Sequence, residues 1–147
     1  GSSYLPSDML AGFLLAQLEV RELIQNRRRE IWESYQDALG GWAATLGVTL
    51  PVVPAHVEQS YHMFYLLLPD LDARTRFIDH LKARGILSVF HYLPLHLSDM
   101  GRRFGGQPGD CPVTEDVSDR LVRLPFFYSL SGSEQEQVID AVMSFTG

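Results

Sequence analysis

The chain has few of the residues that carry covalent chemistry, and it has no excess of positive charge. Its 147 residues include one lysine, Lys82, and one cysteine, Cys111. A single cysteine excludes an internal disulfide and agrees with a reducing compartment. The net charge of -6 at pH 7 argues against a nucleic-acid-binding surface, because such a surface needs basic side chains gathered on one face.

Long apolar runs are also missing. No stretch approaches the ~18 apolar residues that a membrane-spanning helix needs, and no basic segment followed by an apolar one has the form of a signal peptide. We therefore expect a cytoplasmic location. With 46% hydrophobic and 20% charged residues, the composition is that of an ordinary globular protein with its own core.

The first 42 residues predict one long helix. From Ser7 to Leu39 the chain has no proline and a single glycine, Gly12, and apolar residues recur at helical spacing. These residues would span about 50 Å at 1.5 Å per residue, whereas a compact chain of this length is roughly 35–40 Å across. We expect the helix to stop at Gly40-Gly41. It either bends, near Gly12 or Gln25-Asn26, or packs against polypeptide outside this chain.

The remaining residues, 43–147, predict a small α/β domain. Apolar runs indicate strands at 48–50, 62–68, 86–90 and 123–127, the last at a sheet edge because Pro125 lacks an N–H donor. Helices are predicted from Asp70 or Asp72 to about Arg84, after a cap at Thr114, and from Ser131 onwards. The order predicts a two-layer α/β (α+β) fold, with a three- or four-stranded sheet covered on one face by helices.

Residues 90–96, which read Phe-His-Tyr-Leu-Pro-Leu-His, are the main candidate for function. They place the imidazoles of His91 and His96 and the phenol of Tyr92 on a proline-stiffened loop directly after a predicted strand. Loops that leave a strand end commonly present binding groups. These side chains can grip the hydroxyl groups of a sugar-like ligand. Alternatively, Tyr92 belongs to the core, with its hydroxyl satisfied nearby.

No complete catalytic constellation is present in the sequence. The histidines lack the tight pairing of a zinc site, and Cys111, between acidic neighbours, lacks the electropositive setting of a nucleophile. Lys82 lies on an amphipathic helix, most simply on its solvated face. No glycine-rich loop has the Lys-Ser/Thr pair that binds phosphates. The sequence therefore indicates half of an active site.

Several segments together resemble the C-terminal part of the DegT/StrS family of sugar aminotransferases. They follow the family's order across essentially the whole chain. These segments are Gly-Ser-Ser-Tyr-Leu-Pro-Ser-Asp at 1–8, Ala-Gln-Leu-Glu at 16–19, Arg-Arg-Arg-Glu-Ile-Trp at 27–32, His-Met-Phe-Tyr at 62–65, residues 90–96, Cys-Pro-Val-Thr-Glu at 111–115 and Arg-Leu-Val-Arg-Leu-Pro at 120–125.

The resemblance implies the small domain of a pyridoxal-phosphate enzyme of the aspartate-aminotransferase type (fold type I). Residues 1–42 would link it to a large domain, outside this chain, that holds the Schiff-base lysine. The implied reaction transfers an amino group from glutamate to a dTDP-4-keto-6-deoxyhexose, and the implied assembly is a homodimer. No catalytic residue and no metal ligand is expected in this chain.

The resemblance also implies roles for five residues. Ser3 stands where the family usually has an asparagine that reaches the cofactor phosphate of the neighbouring subunit, and Tyr4 is its companion. His91, Tyr92 and His96 match the loop that lines the sugar end of the active site.

Two other interpretations stay open on the sequence. The chain is either a non-catalytic ligand-binding or dimerisation module of the same fold, or part of a family member that has lost catalysis and acts as a regulator. A lysine-bearing domain encoded upstream of Gly1 would favour the enzyme over both.

Overall fold

The structure, a computed structural model, describes residues 4–147, in which six α-helices accompany three short strands. The helices are α1 (Asp8–Glu19), α2 (Arg21–Leu46), α3 (Leu71–Lys82), α4 (Asp99–Arg103), α5 (Pro112–Arg120) and α6 (Gly132–Met143). The strands are β1 (Tyr65–Leu67), β2 (Val89–Phe90) and β3 (Leu121–Arg123), and a 3-10 turn covers Leu95–Leu97. None of the described helices is long and apolar enough to cross a lipid bilayer.

The long N-terminal helix is divided in two at Val20. The backbone of Val20 leaves the helical region, with φ -106° and ψ 14°, so the bend falls neither at Gly12 nor at Gln25-Asn26. The predicted stop at Gly40-Gly41 is also wrong, since α2 continues to Leu46 and ends where Gly47 adopts φ 66°. Burial of the turn around Ala43 outweighs the cost of about 1 kcal/mol for each of the two glycines inside the helix.

The sheet is antiparallel with the strand order β1-β3-β2. The last strand is therefore central, and the prediction that it lies at an edge is wrong. Strand β3 ends at Arg123, so Pro125 lies beyond it and needs no ladder hydrogen bond. The other predicted strands are shorter than the apolar runs indicated, and of 48–50 only Thr49 forms an isolated bridge, to Leu67.

The core lies between the sheet and the helices, as the two-layer prediction required. One face of α2 meets apolar side chains from β1, α3 and α6; the fully buried members with the largest side chains are Ile31, Tyr35, Leu39, Phe64, Leu66, Leu68, Phe77, Leu81, Val122 and Val142. Two long-range hydrogen bonds satisfy polar groups inside it. The Tyr35 hydroxyl donates to the Pro125 carbonyl at 2.9 Å, and the Gln135 amide donates to the Ile31 carbonyl at 2.8 Å. Burial raises the pKa of the Tyr35 phenol.

Most predicted helix caps are confirmed. Ser7 and Asp70 accept hydrogen bonds from the first turns of α1 and α3, and Ser131 forms a complete capping box with Glu134. The cap predicted at Thr114 is wrong. Helix α5 begins at Pro112, whose fixed φ suits the first helical position and whose missing N–H needs no partner there.

We expect Ser131→Ala to lower the free energy of unfolding by about 1 kcal/mol, because the substitution removes the side chain that accepts the Glu134 N–H. Urea denaturation monitored by tryptophan fluorescence measures the change. Ser34→Ala, an exposed substitution within α2, is the matched control and should be neutral or slightly stabilising. Equal losses in the two variants would contradict a capping role for Ser131.

Candidate functional site

A cavity of about 540 Å³ opens beside the loop that follows β2. Residues 91–95, here called the loop wall, form one side of it, and α5 forms the other side. The residues that α5 and β3 contribute are Val113, Thr114, Val117, Ser118 and Leu121. The size is that of a small-molecule site, and the lining is mostly apolar with a few polar groups, as in most such sites.

Two of the predicted site residues line this cavity. The Tyr92 side chain is 71% exposed, which excludes the alternative that it belongs to the core. Its ring lies 5.3 Å from the ring of His91 and 5.4 Å from the guanidinium of Arg123. The Nδ1 atom of His91 is buried and has no hydrogen-bond partner among residues 4–147. A hydrogen bond to this atom, from a ligand or from further polypeptide, would therefore be stabilising.

His96 does not line the cavity, although the sequence grouped it with His91 and Tyr92. It lies in the 3-10 turn, with Nε2 2.8 Å from Oε1 of Glu115 on α5. The Glu115 carboxylate also accepts the backbone N–H of Gly109 at 2.9 Å. The hydrogen bond from His96 is the main cause that lowers the pKa of Glu115, and the backbone N–H groups of Gly109 and Cys111 add to it.

Helix α5 holds the loop wall at a second point. The Ser118 hydroxyl donates to the Tyr92 carbonyl at 3.1 Å, and the Ser118 carbonyl accepts from Arg74 of α3 at 3.0 Å. The sequence pattern predicted no contact of Ser118 or Glu115 with this loop. The three-residue spacing of Glu115 and Ser118 places both on one face of a helix. That spacing was the available signal, but it did not identify the loop they contact.

Of the two predicted cofactor-binding residues, only Tyr4 belongs to the part of the chain that the structure describes. Ser3 lies outside the described residues. Tyr4 precedes α1, is exposed, and is not among the residues that line the cavity. Their roles stay predictions.

A family model covers almost the whole chain. The model of the DegT/DnrJ/EryC1/StrS aminotransferase family matches residues 1–143. The chain belongs to this family. Its fold agrees, because the small α+β arrangement is that of fold type I aminotransferases, and the predicted fold class is confirmed.

Individual relatives and solved structures are moderately similar to this chain. An uncharacterized protein of Methanocaldococcus jannaschii, MJ1066, is 31% identical over 97% of this chain and 37% of its own length. The aminotransferase TlmJ of Streptoalloteichus hindustanus is 31% identical, with a TM-score of 0.76 over 88% of this chain and 33% of TlmJ. DesV of S. venezuelae is 27% identical, with a TM-score of 0.81 over 93% of this chain and 36% of DesV. The chain thus spans about a third of the length of these relatives.

This cavity does not by itself have the groups that hold the phosphate of pyridoxal phosphate. A phosphate group needs cationic side chains or a cluster of N–H donors, and the cavity lining has no lysine or arginine. Lys82, at the end of α3, is exposed and not part of that lining. Within residues 4–147, no three His, Cys, Asp or Glu side chains are grouped to hold a metal ion.

Proposed function

We propose that this chain is the C-terminal domain of a pyridoxal-phosphate-dependent sugar aminotransferase. The whole enzyme would transfer the amino group of glutamate to a dTDP-4-keto-6-deoxyhexose, and would be closest to the transaminase that makes dTDP-4-amino-4,6-dideoxygalactose. The observation that carries this proposal is the family match over residues 1–143. The nucleotide-sugar substrate rests on residues 90–96 and on the cavity that they help to form.

The composition of the cavity supports a role in substrate positioning. His91 and Tyr92 offer hydrogen-bonding groups to sugar hydroxyls or the keto oxygen, while the apolar lining suits the methyl group of a 6-deoxysugar. The cavity has no amine and no carboxylate among its lining residues. The carbanion chemistry would belong to the cofactor, held by polypeptide outside this chain.

Helix α1 supports the proposed association with further polypeptide. Large apolar side chains cover most of its circumference, and all of them are exposed in this chain; they are Met9, Leu10, Phe13, Leu14, Leu15 and Leu18. Exposed apolar surface of this extent marks an interface. We propose that a large domain and the second subunit of a homodimer cover it.

The full-length protein tests the proposal directly. Incubated with pyridoxal phosphate, glutamate and dTDP-4-keto-6-deoxyglucose, it should yield a dTDP-4-amino-4,6-dideoxyhexose, detected by mass spectrometry as replacement of the keto oxygen by an amino group. The corresponding UDP-linked sugar is the control for nucleotide preference. Absence of amino transfer to any nucleotide-linked keto sugar would refute the enzyme and favour a binding module or regulator.

We expect the chain by itself to be inactive. With pyridoxal phosphate it should develop no lysine-linked absorbance band beyond that of a Lys82→Ala variant, because Lys82 is exposed and no desolvated amine is available. Absorbance spectra of the two proteins measure this. A band that requires Lys82 and persists after dialysis would contradict the assignment of the reactive lysine to another domain.

A further inference from the structure

We propose that His96 and Glu115 act as a positioning pair that fixes the loop wall, and that His96 does not contact the ligand itself. The inference deepens the proposed function and rests on it for the identity of the ligand. It assigns His96 a role different from that of His91 and Tyr92.

The pair is a shielded, charge-assisted contact. The side chains of His96 and Glu115 are only 15% and 24% exposed, and Nε2 of His96 lies 2.8 Å from Oε1 of Glu115. The two carboxylate oxygens also accept from the Gly109 N–H, at 2.9 and 3.1 Å. One carboxylate therefore joins the 3-10 turn, the glycine-rich turn before α5, and α5 itself.

The backbone around His96 is packed too closely to move independently. A side chain added at Gly101 would place its first carbon 2.7 Å from the His96 carbonyl oxygen, and one added at Gly106 would place it even closer to the same oxygen. The Gly106 N–H donates to the Gly101 carbonyl at 3.0 Å, which closes this turn. A change in the position of His96 would therefore be transmitted to the adjoining backbone, including Leu95.

The loop wall is thus attached to α5 at both ends. Ser118 holds the Tyr92 carbonyl near its start, and Glu115 holds His96 directly after its end. The same helix supplies the opposite side of the cavity. The pair consequently sets the distance between the two walls, and the Nε2 atom of His96 is already engaged by Glu115.

A double-mutant cycle in the full-length protein tests the pair through substrate kinetics. We expect His96→Ala and Glu115→Ala each to raise KM for dTDP-4-keto-6-deoxyglucose about tenfold, the usual loss for a hydrogen bond to a charged group, with kcat changed less than threefold. The KM of the double variant should not exceed the higher KM of the two single variants, since each single substitution already removes the contact between His96 and Glu115. If His96→Ala raises KM by the same factor in the wild type and in the Glu115→Ala variant, the proposal is overturned.

Hydrogen–deuterium exchange supplies a readout that does not depend on the substrate. Peptides covering residues 91–104 should exchange about tenfold faster in either single variant than in the wild type. The double variant should exchange no faster than the faster of the two single variants. Unchanged exchange would overturn the proposal whether or not the enzyme turns over. If the exchange rates of the variants change as expected but the wild type transfers no amino group, only the proposed function would be refuted.

Asp116→Ala is the matched control on the same helix. Asp116 forms a contact of the same length, with Arg120 at 2.8 Å, but within α5 itself, and neither residue lines the cavity. We expect its KM and the exchange of residues 91–104 to stay within twofold of the wild type. An increase in KM equal to that of Glu115→Ala would show a general effect of damage to α5 and would overturn the specific role of the pair.

Discussion

Phe64→Ala should lower the free energy of unfolding by about 3–5 kcal/mol, the range for removing a large aromatic side chain from a core. Phe64 is 0% exposed, and its ring lies 5.5 Å from that of Trp32 and 5.2 Å from that of Tyr35. Truncation would leave a cavity where α2 meets the sheet. The rigid neighbouring rings and the Phe64 carbonyl, which accepts the Leu124 N–H, leave little freedom for the site to collapse.

Urea denaturation of the wild type and the variant measures this loss. Phe104→Ala is the matched control, because Phe104 is 86% exposed and contributes no buried area to the core. Its free energy of unfolding should change by no more than about 0.5 kcal/mol. A loss below about 1 kcal/mol for Phe64→Ala would mean that the contact between α2 and the sheet is not as tightly packed as the structure has it.

Gly106→Ala is expected to destabilise the chain by roughly 1–3 kcal/mol, as overpacking does, and to displace the loop wall. The added carbon would lie 3.1 Å from the Cα of His96 and far inside van der Waals contact with its carbonyl oxygen. Because the colliding atoms belong to the backbone, no side-chain rotation can relieve the contact. The 3-10 turn must shift, and His96 must move away from Glu115.

Thermal unfolding and hydrogen–deuterium exchange of residues 91–104 measure both effects. Gly41→Ala is the control: it is helical, has no atom within 4 Å of the added carbon, and should stabilise the chain by roughly 0.5–1 kcal/mol. If Gly106→Ala were as stable as the wild type with unchanged exchange, the close packing around His96 would be refuted.

The outcome of the sequence predictions depends on how far apart the interacting residues lie. The cap at Ser131 was predicted correctly because its partner, Glu134, is only three residues away. The strand order was not predicted. The central position of β3 depends on its pairing with β1 and β2, which lie more than 30 residues earlier in the chain.

The candidate site shows the same division. His91 and Tyr92 were identified because a polar loop after a strand is a local pattern, and both line the cavity. His96 has the same residue type on the same loop, yet its partner is Glu115, 19 residues away. No pattern within the loop distinguishes a histidine that faces a cavity from one that faces a helix.

By itself, the sequence determined most of the helix caps, the position of the candidate loop at residues 90–96 and the family to which the chain belongs. These depend on spacing within a few residues, or on residue identities along the whole chain. Only the tertiary structure decided that α2 continues through two glycines, that β3 is the central strand, and that Glu115 and Ser118 hold the cavity loop. Each of these depends on contacts between distant residues, whose burial and hydrogen bonds outweigh local preference.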